Sequence, residues 1–341
     1  MNNEFDFIAI GDIVIDAFIK INNAKVRNEK GSPELCISFA NKVPYEWLEV
    51  VSAVGNSPNA SVSASRLGLK SALVTNIGDD DHGRNCQRVL EKENVATNFV
   101  KIHPNDNTNY HFVLLYEADR TILVKHTEFD YKLPNIGTPK WIYFSSVAKN
   151  SLSYHKEIAK YLKNNPEVKL AFQPGTFQME LGYEKLKEIY EQSEVFFCNV
   201  QEAKRILNPI KPEILNKIIG KNKKETVIEL LKEMRNLGPK IVAITDGPEG
   251  AYTYDGKKIL YTPMYPDIQK PLDRTGAGDA FASAFTSALA IGKNIEEALQ
   301  WGPINSMSVV QFVGAQKGLL TQAKLKEYLE KAPEHYKVTE L

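Results

Sequence analysis

The stretch Asp273-Arg274-Thr275-Gly276-Ala277-Gly278-Asp279, followed by Ala280-Phe281-Ala282-Ser283-Ala284-Phe285, begins as a turn and continues as a helix. Small residues at 276–278 let the backbone turn sharply and leave several N–H groups uncovered, at the positive end of a helix running towards Leu289. Such a turn holds an anion, and a phosphate placed there meets free donors without needing a lysine. Asp279 stands beside this cradle, where a carboxylate repels phosphate unless it has a separate task. A general base that takes the proton of an attacking hydroxyl during phosphoryl transfer explains its presence. The competing reading is an acidic residue that caps or charge-stabilises the first helical turn.

Two further groups carry polar side chains at places suited to ligands. In Val54-Gly55-Asn56-Ser57-Pro58-Asn59, Gly55 permits close approach, and Asn56 and Asn59 offer amide donors and acceptors suited to vicinal hydroxyls. Asn59 also reads as a helix N-cap. Gly11-Asp12-Ile13-Val14-Ile15-Asp16 follows the apolar run Phe7–Ile10, which places Asp16 at a carboxyl edge where α/β folds bind ligands, with Asp12 as its competitor.

The elements that must position these groups follow from hydrophobic periodicity. Phe7–Ile10, Ala72–Thr75, Trp141–Phe144, Val168–Phe172, Val195–Phe197 and Ile241–Ile244 read as buried strands. Helical spacing occupies Asn59–Leu67, Tyr154–Leu162, Tyr183–Tyr190, Glu202–Leu207, Thr226–Met234, Gly278–Leu289, Ile295–Phe312 and Thr321–Leu329. The alternation predicts an α/β sandwich with helices on both faces of a mainly parallel sheet. Two segments break the rhythm, from about Phe18 to Ser52 and from Asn109 to His126. In the second, Tyr110–Leu115 and Thr121–Lys125 flank the turn Glu117-Ala118-Asp119-Arg120, as in a β-hairpin. Together they are expected to form a small β lid (18–52 and 109–126) inserted into a core made of 1–17, 53–108 and 127–341. The aromatics Phe18, Phe39, Tyr45, Trp47 and Phe112 are read equally as lining that lid, as its core, or as a lid-to-lid homodimer interface.

Composition narrows the class. The chain of 341 residues is 43% hydrophobic and 25% charged, which excludes collagen-like, disordered and disulfide-scaffold proteins. Its 42 Lys plus Arg against 42 Asp plus Glu cancel, so a surface built for nucleic acid is not expected. The polar, acidic start Met1-Asn2-Asn3-Glu4-Phe5-Asp6 is unlike a signal peptide, and no apolar run approaches the roughly 18 residues of a membrane span. Cys36, Cys86 and Cys198 form no C-x-x-C pair and read as free thiols, so a cytoplasmic protein without a membrane partner is expected.

The Asp-x-Thr-Gly-Ala-Gly-Asp string at 273–279 resembles the C-terminal signature of the ribokinase-like carbohydrate kinases of the phosphofructokinase-B type. Their N-terminal signature is matched in order and spacing by Gly55-Asn56-Ser57-Pro58-Asn59, Arg66-Leu67-Gly68 and Asn76-Ile77-Gly78-Asp79 to Gly83. Val54 replaces that signature's first glycine, and Pro58 a small residue. The similarity runs from Phe7 to about Leu329, with the lid segments least matched. It implies the ribokinase-like three-layer α/β/α sandwich with a β lid, Asp279 as catalytic base, and the amides of Gly276, Ala277 and Gly278 as an anion hole for the γ-phosphate. It also implies sugar binding by Asp16, Gly55, Asn56 and Asn59. Thr245, Gly247, Gly250, Thr275 and Asn305 fall on its nucleotide side. Asn199-Val200-Gln201-Glu202 resembles an Asn-x-x-Glu element concerned with magnesium, where Glu202 would act largely through water; the same four residues also make an Asn N-cap with a Glu in the first turn.

The expectation is therefore an ATP- and Mg2+-dependent kinase acting on a sugar or ribosyl hydroxyl, with a monovalent cation left open. A nucleoside kinase and an inactive sensor of the same fold are the alternatives. G-x-x-x-x-G-K-[ST] is absent, and Gly11-Asp12-Ile13 does not match the dinucleotide-binding G-x-G-x-x-G.

Overall fold

A computed structural model describes residues 4–29, 32–117 and 119–341, so Ala118 of the expected hairpin turn, residues 30 and 31 of the lid segment and Met1–Asn3 lie outside the described residues. One large sheet runs through the chain. Its strand order from one edge is Thr339–Glu340, Ile259–Thr262, Ala251–Tyr254, Ile241–Thr245, Ser193–Asn199, Lys169–Phe172, Trp141–Phe144, Phe7–Ile10, Ser71–Gly78 and Val100–His103. From Ile241–Thr245 onwards every neighbour is parallel, and the three strands at the first edge are antiparallel.

Side chains of a strand alternate between the two faces, and here both faces are buried. Phe7, Ala9 and Tyr143 point into one core, shared with the helices Asn56–Arg66, Ala277–Ala290 and Ile295–Val309. Ile8, Ile10 and Phe144 point into the other, shared with Leu152–Asn164, Tyr183–Gln192, Val200–Leu207 and Lys223–Arg235. The result is a three-layer α/β/α sandwich. The helix Ala277–Ala290 is held tightly because its small residues let neighbours approach. A Cβ added at Gly302 of the adjoining helix would stand 2.4 Å from the Phe281 ring.

All six strands and eight helices expected from periodicity are present, with ends shifted by a few residues. The helix expected over Ile295–Phe312 stops at Val309. Periodicity missed the helix Asp81–Lys92, whose buried positions are few (Gly83, Cys86 and Leu90) and whose N-terminus is secured by the Asp80 carboxylate accepting from Gly83 N–H at 2.7 Å. Pro58 lies in the first turn of Asn56–Arg66, where its missing N–H costs no helical bond.

A second, four-stranded sheet has the order Tyr45–Val54, Val14–Ile21, Asn109–Tyr116, Asp119–Leu123, with a separate hairpin Ala24–Glu29/Ser32–Ile37 beside it in sequence. It is wider than the 18–52 and 109–126 division expected. It begins at Val14 and continues to Val54, so Asp16 belongs to the smaller sheet and not to the core segment 1–17. The reason is the register: Val14 already pairs with Val54 and Asn109, leaving only Gly11-Asp12-Ile13 as connection. Among the described residues no helix is long and apolar enough to cross a membrane.

Candidate active site

Asp279 occupies the first turn of Ala277–Ala290 and is 8% exposed. Three side-chain amides donate to it, two from the helix Asn56–Arg66 and one from the residue after the strand Lys169–Phe172: Asn56 Nδ2 to Oδ1 at 2.7 Å, Asn59 Nδ2 to Oδ2 at 2.8 Å, and Gln173 Nε2 to Oδ1 at 3.1 Å. The orientation of Asn59 is fixed in turn. Gln316 Nε2 donates to the Ala53 carbonyl, which only accepts, and to Asn59 Oδ1 at 3.0 Å, so the Asn59 nitrogen must face the carboxylate. Burial pushes the Asp279 carboxyl above its ordinary value; the amide donors oppose that shift, and the charge of Asp16 adds to it. A carboxylate so raised is better matched to proton transfer than an exposed one.

The turn before Asp279 depends on Gly276, whose φ is +78° and whose added Cβ would stand 2.3 Å from that of Ala315. Asp273 shapes the approach by accepting from Thr275 N–H and Oγ1, and from Gly314 N–H at 3.0 Å. Thr275 is thereby committed to the loop. Of the expected anion hole, Ala277 N–H makes one long bond to the Arg274 carbonyl at 3.4 Å, while the amides of Gly276 and Gly278 have no protein acceptor among the described residues.

One cavity of about 240 Å³ opens beside this turn, between the 245–251 loop, Arg274, Ala277 to Phe281 and Pro303 to Val310. Thr245, Gly247 and Gly250 line it. Asn305 does not: it is fully buried, donates to the Ala280 carbonyl at 3.0 Å and accepts from Leu320 N–H at 3.0 Å, so it ties helices together, and its neighbours Pro303, Ser306 and Met307 form the wall instead. A smaller space of about 70 Å³ is lined by Gln173, Asn199, Glu202, Thr245 and Gly278, among others. There Asn199 caps the helix Val200–Leu207: its Oδ1 accepts from Glu202 N–H at 2.9 Å, and Glu202 Oε2 accepts from Asn199 N–H at 2.8 Å. Of the pair expected at magnesium, Asn199 is thus occupied as a cap, while Glu202 Oε1 has no hydrogen-bond partner among the described residues. Burial and the nearby Asp279 charge raise the Glu202 carboxyl.

Gly55 precedes Asn56, whose side chain reaches Asp279, and lies against Asp12, while the charge of Asp16 acts on Asp279. Gly55 has φ +120°, and a Cβ on it would stand 2.7 Å from the Asp12 carbonyl oxygen, so only glycine fits there. Asp12 accepts from Tyr131 Oη at 2.8 and 2.9 Å, which occupies this competitor of Asp16 in a buried bond. Sequence reasoning missed Gln173, Gln316, His111 and His126. Gln173 directly follows the strand Lys169–Phe172 and was findable as a polar residue at a carboxyl edge; the others carry no local signal.

A three-layer sandwich with a carboxylate and unpartnered amides at the head of one helix defines a phosphotransferase-type site. The pfkB family carbohydrate kinase profile matches residues 49–322, and the chain belongs to that family. It is a carbohydrate kinase, an enzyme that phosphorylates an alcohol group. The chain is 29% identical over 287 residues to the ribokinase of Bacillus subtilis (81% of this chain, 87% of that one). It is 27% identical over 348 residues to the 5-dehydro-2-deoxygluconokinase of Halalkalibacterium halodurans (97% and 96%). In structure it is similar to an Arabidopsis thaliana ribokinase complexed with ribose and ATP, with a TM-score of 0.76 at 19% identity over 95% of this chain and 98% of that one.

Proposed function

We propose that this enzyme transfers the γ-phosphoryl group of ATP to a hydroxyl of a sugar, with Asp279 as general base and the Gly276 to Gly278 amides as the anion hole. The carrying observation is the buried Asp279 carboxylate at a helix head where the Gly276 and Gly278 amides have no protein acceptor among the described residues, beside a cavity and a set of amide side chains. Asp279 takes the acceptor hydroxyl proton as the new O–P bond forms, the bond to ADP breaks, and the amides hold the transferring oxygens. Glu202, a carboxylate lining the smaller space, suits a magnesium ion bound through water. Magnesium, when bound, neutralises phosphate charge. Thr245, Gly247 and Gly250 would flank the nucleotide, and the smaller sheet would close as a lid that limits hydrolysis. The lid's outer face, where Leu48, Val50, Phe112 and Leu123 are exposed, supports a homodimer through the lid.

The test is ADP release from Mg-ATP across pentoses, hexoses, sugar phosphates and nucleosides, with Asp279→Asn beside the wild type. Acceptor-dependent release that drops about 10²–10⁴-fold in kcat in the variant is expected. Equal turnover in the variant would remove Asp279 from the chemistry, and release only with nucleosides would replace the sugar acceptor.

A further inference from the structure

Ranged along the seam between the smaller sheet and the core are two imidazoles and two carboxylates in one chain of contacts. His111 lies beside Asp16 across the parallel strand pair, with Nδ1 at 3.4 Å from Asp16 Oδ1. His126 Nδ1 lies 3.3 Å from Asp12 Oδ2, and the two imidazole rings are 5.1 Å apart. The Phe177 ring stands edge-on to His126 at 5.6 Å and closes the core side. Asp16, His111 and Val113 alternate on the inner face of the sheet, while Phe112 points outwards.

Three atoms of this cluster are buried without a hydrogen-bond partner: Asp16 Oδ1, His111 Nε2 and His126 Nδ1. Asp16 Oδ1 and His126 Nδ1 keep only the ion-pair contacts above, without hydrogen-bond geometry, and His111 Nε2 has no partner; since buried polar atoms are almost always satisfied, the three mark where a polar ligand completes the bonding. The charge of Asp16 is felt at Asp279, which puts the cluster within electrostatic reach of that carboxylate.

The charge count then selects the ligand. Even with both imidazoles protonated, His111 is matched by Asp16 and His126 by Asp12, and Asp279 adds a further carboxylate. Among the described residues no lysine or arginine is paired with Asp12, Asp16 or Asp279. The cluster itself therefore sets at most two cations against three carboxylates, a balance that opposes a carboxylate or phosphate on the acceptor.

Resting on the kinase reading above, we propose that His111 and His126 are acceptor-binding residues, and that the acceptor is an uncharged polyhydroxy sugar, not a sugar acid or a sugar phosphate. Hydroxyls, which both donate and accept, satisfy Asp16 Oδ1 and either imidazole nitrogen in whichever protonation state each adopts.

The experiment measures kcat and KM of the wild type for neutral sugars, the matching aldonates and the matching sugar monophosphates, together with calorimetric binding of the preferred acceptor. His111→Phe and His111→Gln are run beside it. A neutral sugar is expected as the preferred acceptor. His111→Phe should raise its KM and weaken its binding about tenfold to a hundredfold, as for an unpaired buried group, with the KM for ATP unchanged. His111→Gln, which keeps a polar atom in reach, should recover part of that loss. A wild type that prefers an aldonate or a sugar phosphate overturns the inference while leaving the kinase standing, as does a His111→Phe enzyme with unaltered acceptor KM. Absence of turnover with every acceptor overturns the kinase reading itself.

Discussion

Alanine at Gly278 should separate the fold of the 273–280 turn from its chemistry. Gly278 has no left-handed φ, and an added Cβ meets nothing nearer than Gln173 Nε2 at 3.8 Å, an ordinary van der Waals distance. The fold accommodates the methyl, and the reduced freedom of the unfolded chain raises stability by about 0.4–1 kcal/mol. The same methyl enters both spaces that Gly278 lines, next to an amide with no protein acceptor. The methyl leaves the Gly278 N–H in place but crowds the approach to it, and a phosphoryl oxygen held off that pre-organised donor forfeits up to roughly 10²–10³ in kcat. Gly276→Ala should behave in the opposite way. It needs φ +78° and puts a Cβ 2.3 Å from Ala315 Cβ and 2.7 Å from its Cα, so the fold itself loses roughly 2 kcal/mol or more. Urea midpoints and a coupled ADP assay on the two variants read both quantities. A Gly278→Ala enzyme with wild-type kcat would refute the crowding of the cradle by the methyl, and one destabilised like Gly276→Ala would refute the steric reasoning.

Because burial raises the Asp279 carboxyl, its acid limb in a kcat/KM profile should lie above the ordinary carboxylate range, activity falling as pH drops through it; a limb at the pH of an exposed aspartate would contradict the burial. His155 donates from Nδ1 to the Ser151 carbonyl at 2.7 Å and accepts at Nε2 from Gln178 at 3.0 Å, and burial, against the Ser151 bond, pushes its pKa down to about 4. The unfolded histidine titrates near ~6.5, so between these values only the unfolded chain takes up the proton. Stability is therefore complete above pH ~6.5 and falls towards pH 4 by up to about 3 kcal/mol, a slope that denaturation of His155→Gln should lack. On the outer face of the smaller sheet, Leu48→Lys with Val50→Glu should halve the mass seen by light scattering while leaving the urea midpoint within about 0.5 kcal/mol of wild type; unchanged mass would exclude this face as the dimer contact.

The rhythm of strands and helices and the turn at 273–279 were legible in the chain because both rest on neighbouring residues: apolar spacing decides the elements, and small residues before a helix decide the cradle. Local reading also had limits at that scale. Asp81–Lys92 buries only Gly83, Cys86 and Leu90 amid polar residues, and Asn199 with Glu202 fitted both the cap the structure shows and the magnesium element implied by resemblance. What surrounds Asp279 was decided only by tertiary structure. Asn56 reaches it from 223 residues away, and Gln173 and Gln316 become its support because the parallel sheet brings remote loops to one edge. The same holds for His111 and His126, which meet Asp16 and Asp12 only when the smaller sheet pairs Val14–Ile21 with Asn109–Tyr116. Asn305 shows the converse, since a polar residue in a suitable place was drawn into helix packing by a carbonyl and an amide that no local pattern reveals. Sequence carries what adjacent residues do to each other; the closing of a polar site depends on contacts whose partners are chosen by the packing of whole layers.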